Sequence, residues 1–311
     1  MTKTNPSSLD ILDSQIPSSQ RQAYKEYLST LNSKNSWEFS IVPNYFKQSL
    51  FETDEDKFDY LSENFGRLHS WDEIIADLNK SNKESDDDTQ YKIFILARHG
   101  FGYHNWAHAH YGDNSWNEHW SRLNGNGEVT WGPDANLTEF GISQARENNK
   151  EWKNQIDQGL IKPKRFFTSP LSRCIDTLLY TFEDIVDLKQ LGFLVEENWR
   201  ETMGVHTCDK RSTKEQLLKR FEEKGIQFEK GFVNDDIYWQ NDYRESIVEH
   251  AIRINKGFQN LFNEVSKTDD IISITSHSGS LRSELMVLGH RSFAVGTGGL
   301  IPVFVKATKK K

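Results

Sequence analysis

The sequence predicts a three-layer α/β/α sandwich with a mostly parallel central sheet. Two observations predict it. Short runs of apolar and aromatic residues alternate with longer stretches whose apolar positions recur at helical spacing, the pattern of parallel strands covered by helices. Four of those runs also end on Arg, His, Ser or Glu, and open sheets of this class bind ligands beyond the carboxyl ends of their strands.

In chain order, residues 1–36 are polar and rich in Ser and Asn, and about the first twenty are expected to be disordered. Aromatics then crowd residues 37–79, among them Trp37, Phe39, Tyr45, Phe46, Phe58, Tyr60, Phe65 and Trp71. So many large apolar groups must be buried, which predicts a segment packed on the main domain, with short helices near 54–62 and 71–79. Residues 80–90 (KSNKESDDDTQ) read as a linker. The chain thus divides into an N-terminal extension, 1–90, and a main domain, 91–311.

The first strand of that domain is YKIFILA (91–97), followed by RFFT (165–168), GFLVEE (192–197), IISIT (271–275) and IPVFVKA (301–307). Between them, Thr138 can cap a helix with Ile142, Ala145, Trp152 and Ile156 on one face. Ser172 can open a second, and residues 244–264 carry a third stripe. A fourth helix spans 280–288 and stops at Gly289. The terminal lysines, 309–311, are expected to be frayed.

Charge is unevenly placed. The chain carries −8 overall, but residues 51–90 alone sum to −9, and 91–311 are neutral. Net acidity without a dense basic stretch argues against nucleic acid as the main partner. No apolar run approaches the ~20 residues of a membrane span, and residues 1–20 lack the apolar core of a secretory signal. Two cysteines, Cys174 and Cys208, suit a reduced, cytoplasmic protein.

The strand ends carry the chemistry. After the first strand comes Arg98-His99-Gly100; after the second, Ser169 to Arg173; after the third, Arg200 and Glu201; after 271–275, Ser276-His277-Ser278-Gly279. Guanidiniums are permanently charged donors that match phosphate oxygens. A neutral histidine can attack phosphorus, a carboxylic acid can protonate a departing alkoxide, and a second histidine adds a donor. Phosphoryl transfer is governed mainly by positioning and charge neutralisation, so the set suits a small phosphorylated metabolite.

These residues also carry a family resemblance. RHG with Asn105 seven residues after Arg98, LTEFGISQA (137–145), SPLSRCIDT (169–177) and TSHSG (275–279) resemble, in order, the motifs of the histidine phosphatase superfamily, the phosphoglycerate-mutase-like group. RETMGVHTCDKR (200–211) and DDIYWQNDYRES (235–246) place the resemblance in the fungal phosphomutase-like branch, over about 91–290. The resemblance implies that His99 is the nucleophile and Glu201 the proton donor. It implies that Arg98, Arg173 and His277 clamp the phosphate, with Asn105 as a further contact and no metal or other cofactor. Ser278 precedes a helix whose first amides can add to the anion field.

Departures from the family pattern matter. Pro170 and Cys174 replace the commoner Asp and Ala, and Phe101 stands where many members carry a polar residue. Ser278, not Asp, follows His277, which argues against the acid-phosphatase branch. Asp209 is the rival to Glu201 as acid. His104, His108 and His110 invite a metal reading, but no Glu or Cys lies at zincin-like spacing; the region 101–136 reads instead as aromatic packing or a pocket wall. Arg211, Arg244 and Arg282 could touch an anionic substrate, but surface salt bridges are the expected use. Three functions remain: a metal-independent phosphatase, a phosphomutase with the same intermediate, and a catalytically idle binding member.

Overall fold

The computed structural model describes residues 5–30 and 36–310. Its elements are α1 (Ser8–Ser14), α2 (Ser18–Thr30), β1 (Trp37–Ile41), α3 (Trp71–Glu84), β2 (Thr89–Arg98), α4 (Tyr103–Tyr111), α5 (Asp113–Glu118), α6 (Glu139–Asp157), β3 (Arg165–Thr168), α7 (Ser172–Phe182), α8 (Leu188–Leu191), β4 (Phe193–Val195), α9 (Lys214–Phe221), β5 (Ile226–Phe228), α10 (Ile247–Glu264), β6 (Ile271–Ser276), α11 (Ser278–Val287) and β7 (Leu300–Lys309). The strands form one sheet in the order β1-β7-β2-β6-β3-β4-β5. From β2 to β5 every pairing is parallel; β7 runs antiparallel to β2, and β1 antiparallel to β7. The predicted α/β architecture is therefore the observed one.

The central strands read as apolar runs because both faces are covered. Ile93, Phe94, Ile95 and Leu96 are all buried. On one side Phe94 meets Phe258 of α10 edge-on at 5.4 Å, and α11 packs beside α10. Helices α6 and α7 pack on each other, and Phe166 of β3 and Trp152 of α6 both contact Phe182 of α7. Among the described residues, no helix is long and apolar enough to cross a membrane.

The extension differs from expectation in several places. The aromatics of 37–79 join the main core as predicted by their density, but Trp37 to Ile41 do so as a strand on the sheet edge. Residues 54–62 form turns, not a helix. Helix α3 continues to Glu84, started by a reciprocal cap between Ser70 and Glu73, and Thr89 already belongs to β2, so the expected linker shrinks to a short turn. Residues 1–4 lie outside the described residues, but α1 and α2 replace the disorder expected over the rest of 1–20. Neither has a strong apolar stripe to announce it; α1 is fixed by ion pairs to distant arginines, Arg98 and Arg282. Lys309 is likewise paired, opposite Trp37.

Candidate active site

The loop after β2 is built by the motifs around it. The Gly100 N–H donates to Thr177 Oγ1 at 2.9 Å, and the Phe101 N–H to Gln144 Oε1 at 2.8 Å. Thr138 Oγ1 donates to the Phe101 carbonyl at 2.9 Å. Gly100 and Gly141 let backbone meet backbone: a Cβ on Gly100 would lie 2.4 Å from the Gly141 oxygen. The Thr, Gly and Gln of 137–145 and Thr177 thus hold the loop that carries His99.

His99 is buried, and its Nδ1 lies 2.7 Å from the Gly100 carbonyl oxygen. A carbonyl only accepts, so Nδ1 carries the proton and Nε2 the lone pair. Burial and the charges of Arg173 and Arg98 hold the imidazole well below its ordinary pKa, which keeps it neutral and nucleophilic. The His277 ring stands 5.0 Å away and the His104 ring 5.2 Å away. His277 Nε2 contacts Ser169 Oγ at 2.8 Å and the Cys174 thiol at 3.3 Å. Cys174 and Cys208 are both free and buried.

Arg173 lies in the first turn of α7. Leu171 at the N-cap position has no side-chain acceptor, and Asp134 supplies one from elsewhere, accepting from the Ser172 N–H and Oγ at 2.7 Å each. Arg173 Nη1 donates to the Cys208 carbonyl at 2.7 Å and Nη2 to Asp209 at 3.0 Å. Asp209 also pairs with Arg244 at 3.3 Å. It serves the arginines, which weakens its claim as the acid. Arg98 Nη1 donates to the Val295 carbonyl at 2.9 Å and to Asp10 of α1 at 2.7 Å. In both Arg98 and Arg173 the Nε–H is buried without a protein partner.

Glu201 reaches the start of α11. Its Oε1 accepts from the Thr202 N–H at 2.7 Å, and its Oε2 from the Gly279 N–H at 3.2 Å and Ser278 Oγ at 3.4 Å. The structure therefore places Arg98, His99, Arg173, Glu201, His277 and Ser278 around the carboxyl ends of β2 and β6. Asn105 has a local use: its Oδ1 accepts from the Gly102 N–H at 2.9 Å, starting α4.

His104 is the site residue that the sequence reading assigned elsewhere. Its Nδ1 is buried without a partner, and burial with the Arg173, His99, Arg98 and His108 charges lowers its pKa strongly. The set His104, His108 and His110 is not assembled: His108 contacts Asp113 at 3.0 Å, and His110 stacks on Trp106. A different trio, His206, Cys208 and Asp209, brings its ligand atoms within 4.8 Å of one another. Two guanidiniums already claim Asp209, and they would repel a cation. Residues 101–136 build a small core of their own from Ala107, Trp116, Trp131 and Ala135, closed by Cys208. Arg211 and Arg282 are buried rather than at the surface: Arg211 pairs with Glu197 and Arg282 with Asp13.

Comparison with known proteins agrees with this construction. The model of the histidine phosphatase superfamily (branch 1) matches residues 94–294. A probable phosphoglycerate mutase of Arthroderma benhamiae is 37% identical over 286 residues, covering 86% of this chain and 84% of that relative. A probable phosphoglycerate mutase of Saccharomyces cerevisiae is 30% identical, covering 85% of this chain and 95% of the relative. Among solved structures, the ecdysone phosphate phosphatase from Bombix mori in complex with tungstate aligns at TM-score 0.42 and 16% identity, covering 63% of this chain and 76% of that one. With its motifs set at the strand ends and a family match over most of the main domain, the chain belongs to the histidine phosphatase superfamily.

Proposed function

We propose that the protein hydrolyses phosphate monoesters of small metabolites through a phosphohistidine on His99, without a metal. The observation that carries this reading is the His99 ring itself: neutral, with Nδ1–H held by the Gly100 carbonyl and Nε2 left as the nucleophile, between two arginines. In the first step the Nε2 lone pair attacks phosphorus as the ester P–O bond breaks, and the Glu201 carboxyl gives its proton to the leaving oxygen. In the second, water attacks the phosphohistidine, Glu201 takes a water proton, and the N–P bond breaks to release phosphate. Arg98 and Arg173 neutralise the non-bridging oxygens in both steps, which is the role a cation would otherwise take, and the neutral His277 ring adds a hydrogen bond to them.

The names of the fungal relatives favour a second reading, a mutase, in which the phosphohistidine returns its group to a bound acceptor. An aryl phosphate assay separates the two: the hydrolase releases inorganic phosphate at a rate independent of added acceptor, whereas the mutase turns over only with an acceptor, which leaves carrying the phosphoryl group. His99→Ala should abolish turnover and the acid-labile phosphoenzyme trapped by rapid quench. Parental activity in that variant would overturn both readings.

A further inference from the structure

Helix α1 precedes the fold in sequence, yet one of its side chains ends on the candidate phosphate clamp. Asp10 uses its two oxygens for different purposes. Oδ2 accepts from the Ser7 N–H and Oγ, both at 2.8 Å, closing the cap that starts α1. Oδ1 accepts from Arg98 Nη1 at 2.7 Å. Arg98 is almost fully buried and the Asp10 side chain is 19% exposed, so the pair is largely withdrawn from solvent. Burial opposes ionisation of Asp10, but the Arg98 charge and the hydrogen bonds from Ser7 and Arg98 prevail and hold the carboxyl below its ordinary pKa. A second tie seats the helix: Asp13 accepts from Arg282 of α11 at 2.6 Å, through a side chain in the helix that follows His277.

The division of labour within the guanidinium is informative. Both Nη1 hydrogens of Arg98 are spent, one on Asp10 and one on the Val295 carbonyl, while Nε–H has no protein partner. The free edge is therefore the parallel Nε–H and Nη2–H pair, which grips a phosphate side-on through two bonds. Arg173 is held differently: the Cys208 carbonyl takes Nη1 and Asp209 takes Nη2, and only Nε–H is left unpartnered. Each arginine thus has its own carboxylate, one from the main domain and one from the extension.

We infer that Asp10 is a positioning residue, which orients Arg98 so that its Nε–Nη2 edge faces the substrate phosphate, and that α1 is thereby a working part of the active site. This rests on the reading of Arg98 as a phosphate clamp. A carboxylate that blocked the site as a phosphate mimic would compete for that edge, whereas Asp10 holds the opposite nitrogen.

The test compares Asp10→Ala, Asp10→Asn, Asp10→Glu, Asp13→Ala and His99→Ala in the full chain. The probes are p-nitrophenyl phosphate for turnover and inorganic phosphate for competitive inhibition, with thermal midpoints to monitor folding. Asp10→Ala and the isosteric Asp10→Asn should raise KM and the inhibition constant of phosphate about tenfold or more, the scale of one charge-assisted hydrogen bond, with a smaller change in kcat. Asp10→Glu should restore part of the loss, and Asp13→Ala should lose less than Asp10→Ala. Unchanged phosphate binding in Asp10→Ala and Asp10→Asn overturns the inference. Tighter binding does so too, and would make Asp10 a plug; an equal loss in Asp13→Ala would assign the effect to helix seating alone. The His99→Ala arm keeps the two readings apart. If it is inactive while Asp10→Asn is parental, only the positioning role falls; if it is fully active, the functional reading falls first.

Discussion

At the residue scale the site is governed by what each backbone position leaves room for. A Cβ on Gly279 would lie 2.1 Å from Glu201 Oε1, and the Gly279 N–H is one of the donors that fix that carboxylate. Gly279→Ala should therefore push Glu201 out of place. Since a displacement near 1 Å can cost up to about a hundredfold in rate, kcat on an aryl phosphate should fall at least about tenfold, with a smaller change in phosphate inhibition. A parental kcat would show that the Glu201 position is not rate-determining. Gly102 makes the same kind of space for His104, whose Nδ1 would meet its Cβ at 2.7 Å. Histidines at strand ends were legible in the sequence because the strand directs them. His104 was not, because it enters the site from α4, and nothing in the local pattern distinguishes it from His108 or His110 on the same helix.

At the element scale, α7 depends on a cap that it does not encode. Asp134 accepts from the Ser172 N–H and Oγ and from Ser212 Oγ at 2.6 Å, joining the start of the helix that carries Arg173 to the loop after Asp209. Asp134→Ala loses a cap, about 0.5–2 kcal/mol, and strands hydroxyls whose desolvation costs about 1–3 kcal/mol. It should lower the thermal midpoint by several degrees, whereas an exposed control such as Lys153→Ala should change it little; equal midpoints would remove Asp134 as a keystone. The same contrast explains which elements could be read in advance. Strands β2, β3, β6 and β7 announce themselves by apolar runs, and α6 and α10 by their buried stripes. Strand β1 is a five-residue edge strand, β5 has three residues, and α1 is held by ion pairs that span 88 and 269 positions in sequence. Local pattern carries no information about partners that distant.

For the whole molecule, the charge that matters is buried rather than net. The main domain, neutral as a sum, buries ionisable groups of both kinds, and their shifts set how stability responds to pH. Glu196 is pushed up to about 8 by burial and by the charge of Glu229. Glu284 is also pushed up to about 8 by burial, with Glu201 adding to it. A carboxyl raised in this way keeps its proton when folded and releases it on unfolding, so its stabilisation is full below the ordinary value near 4.5 and is lost as pH rises through 8. The lowered histidines act oppositely: His99, His104, His206, His250, His277 and His290 stay neutral when folded and take up protons on unfolding only below about 6.5. Between pH 6.5 and 8 the histidines are silent and the two carboxyls set the slope; Lys92, lowered by burial to about 8, opposes them only above that value. Stability should therefore decline with rising pH over that window, by up to roughly 1.4 kcal/mol per pH unit for each carboxyl. Thermal midpoints at pH 6.5, 7.0 and 7.5 should fall in sequence, and a Glu196→Gln, Glu284→Gln double variant should flatten the slope. A midpoint that is constant or rises across the window in the parent protein would mean that these carboxyls are ionised in the folded state.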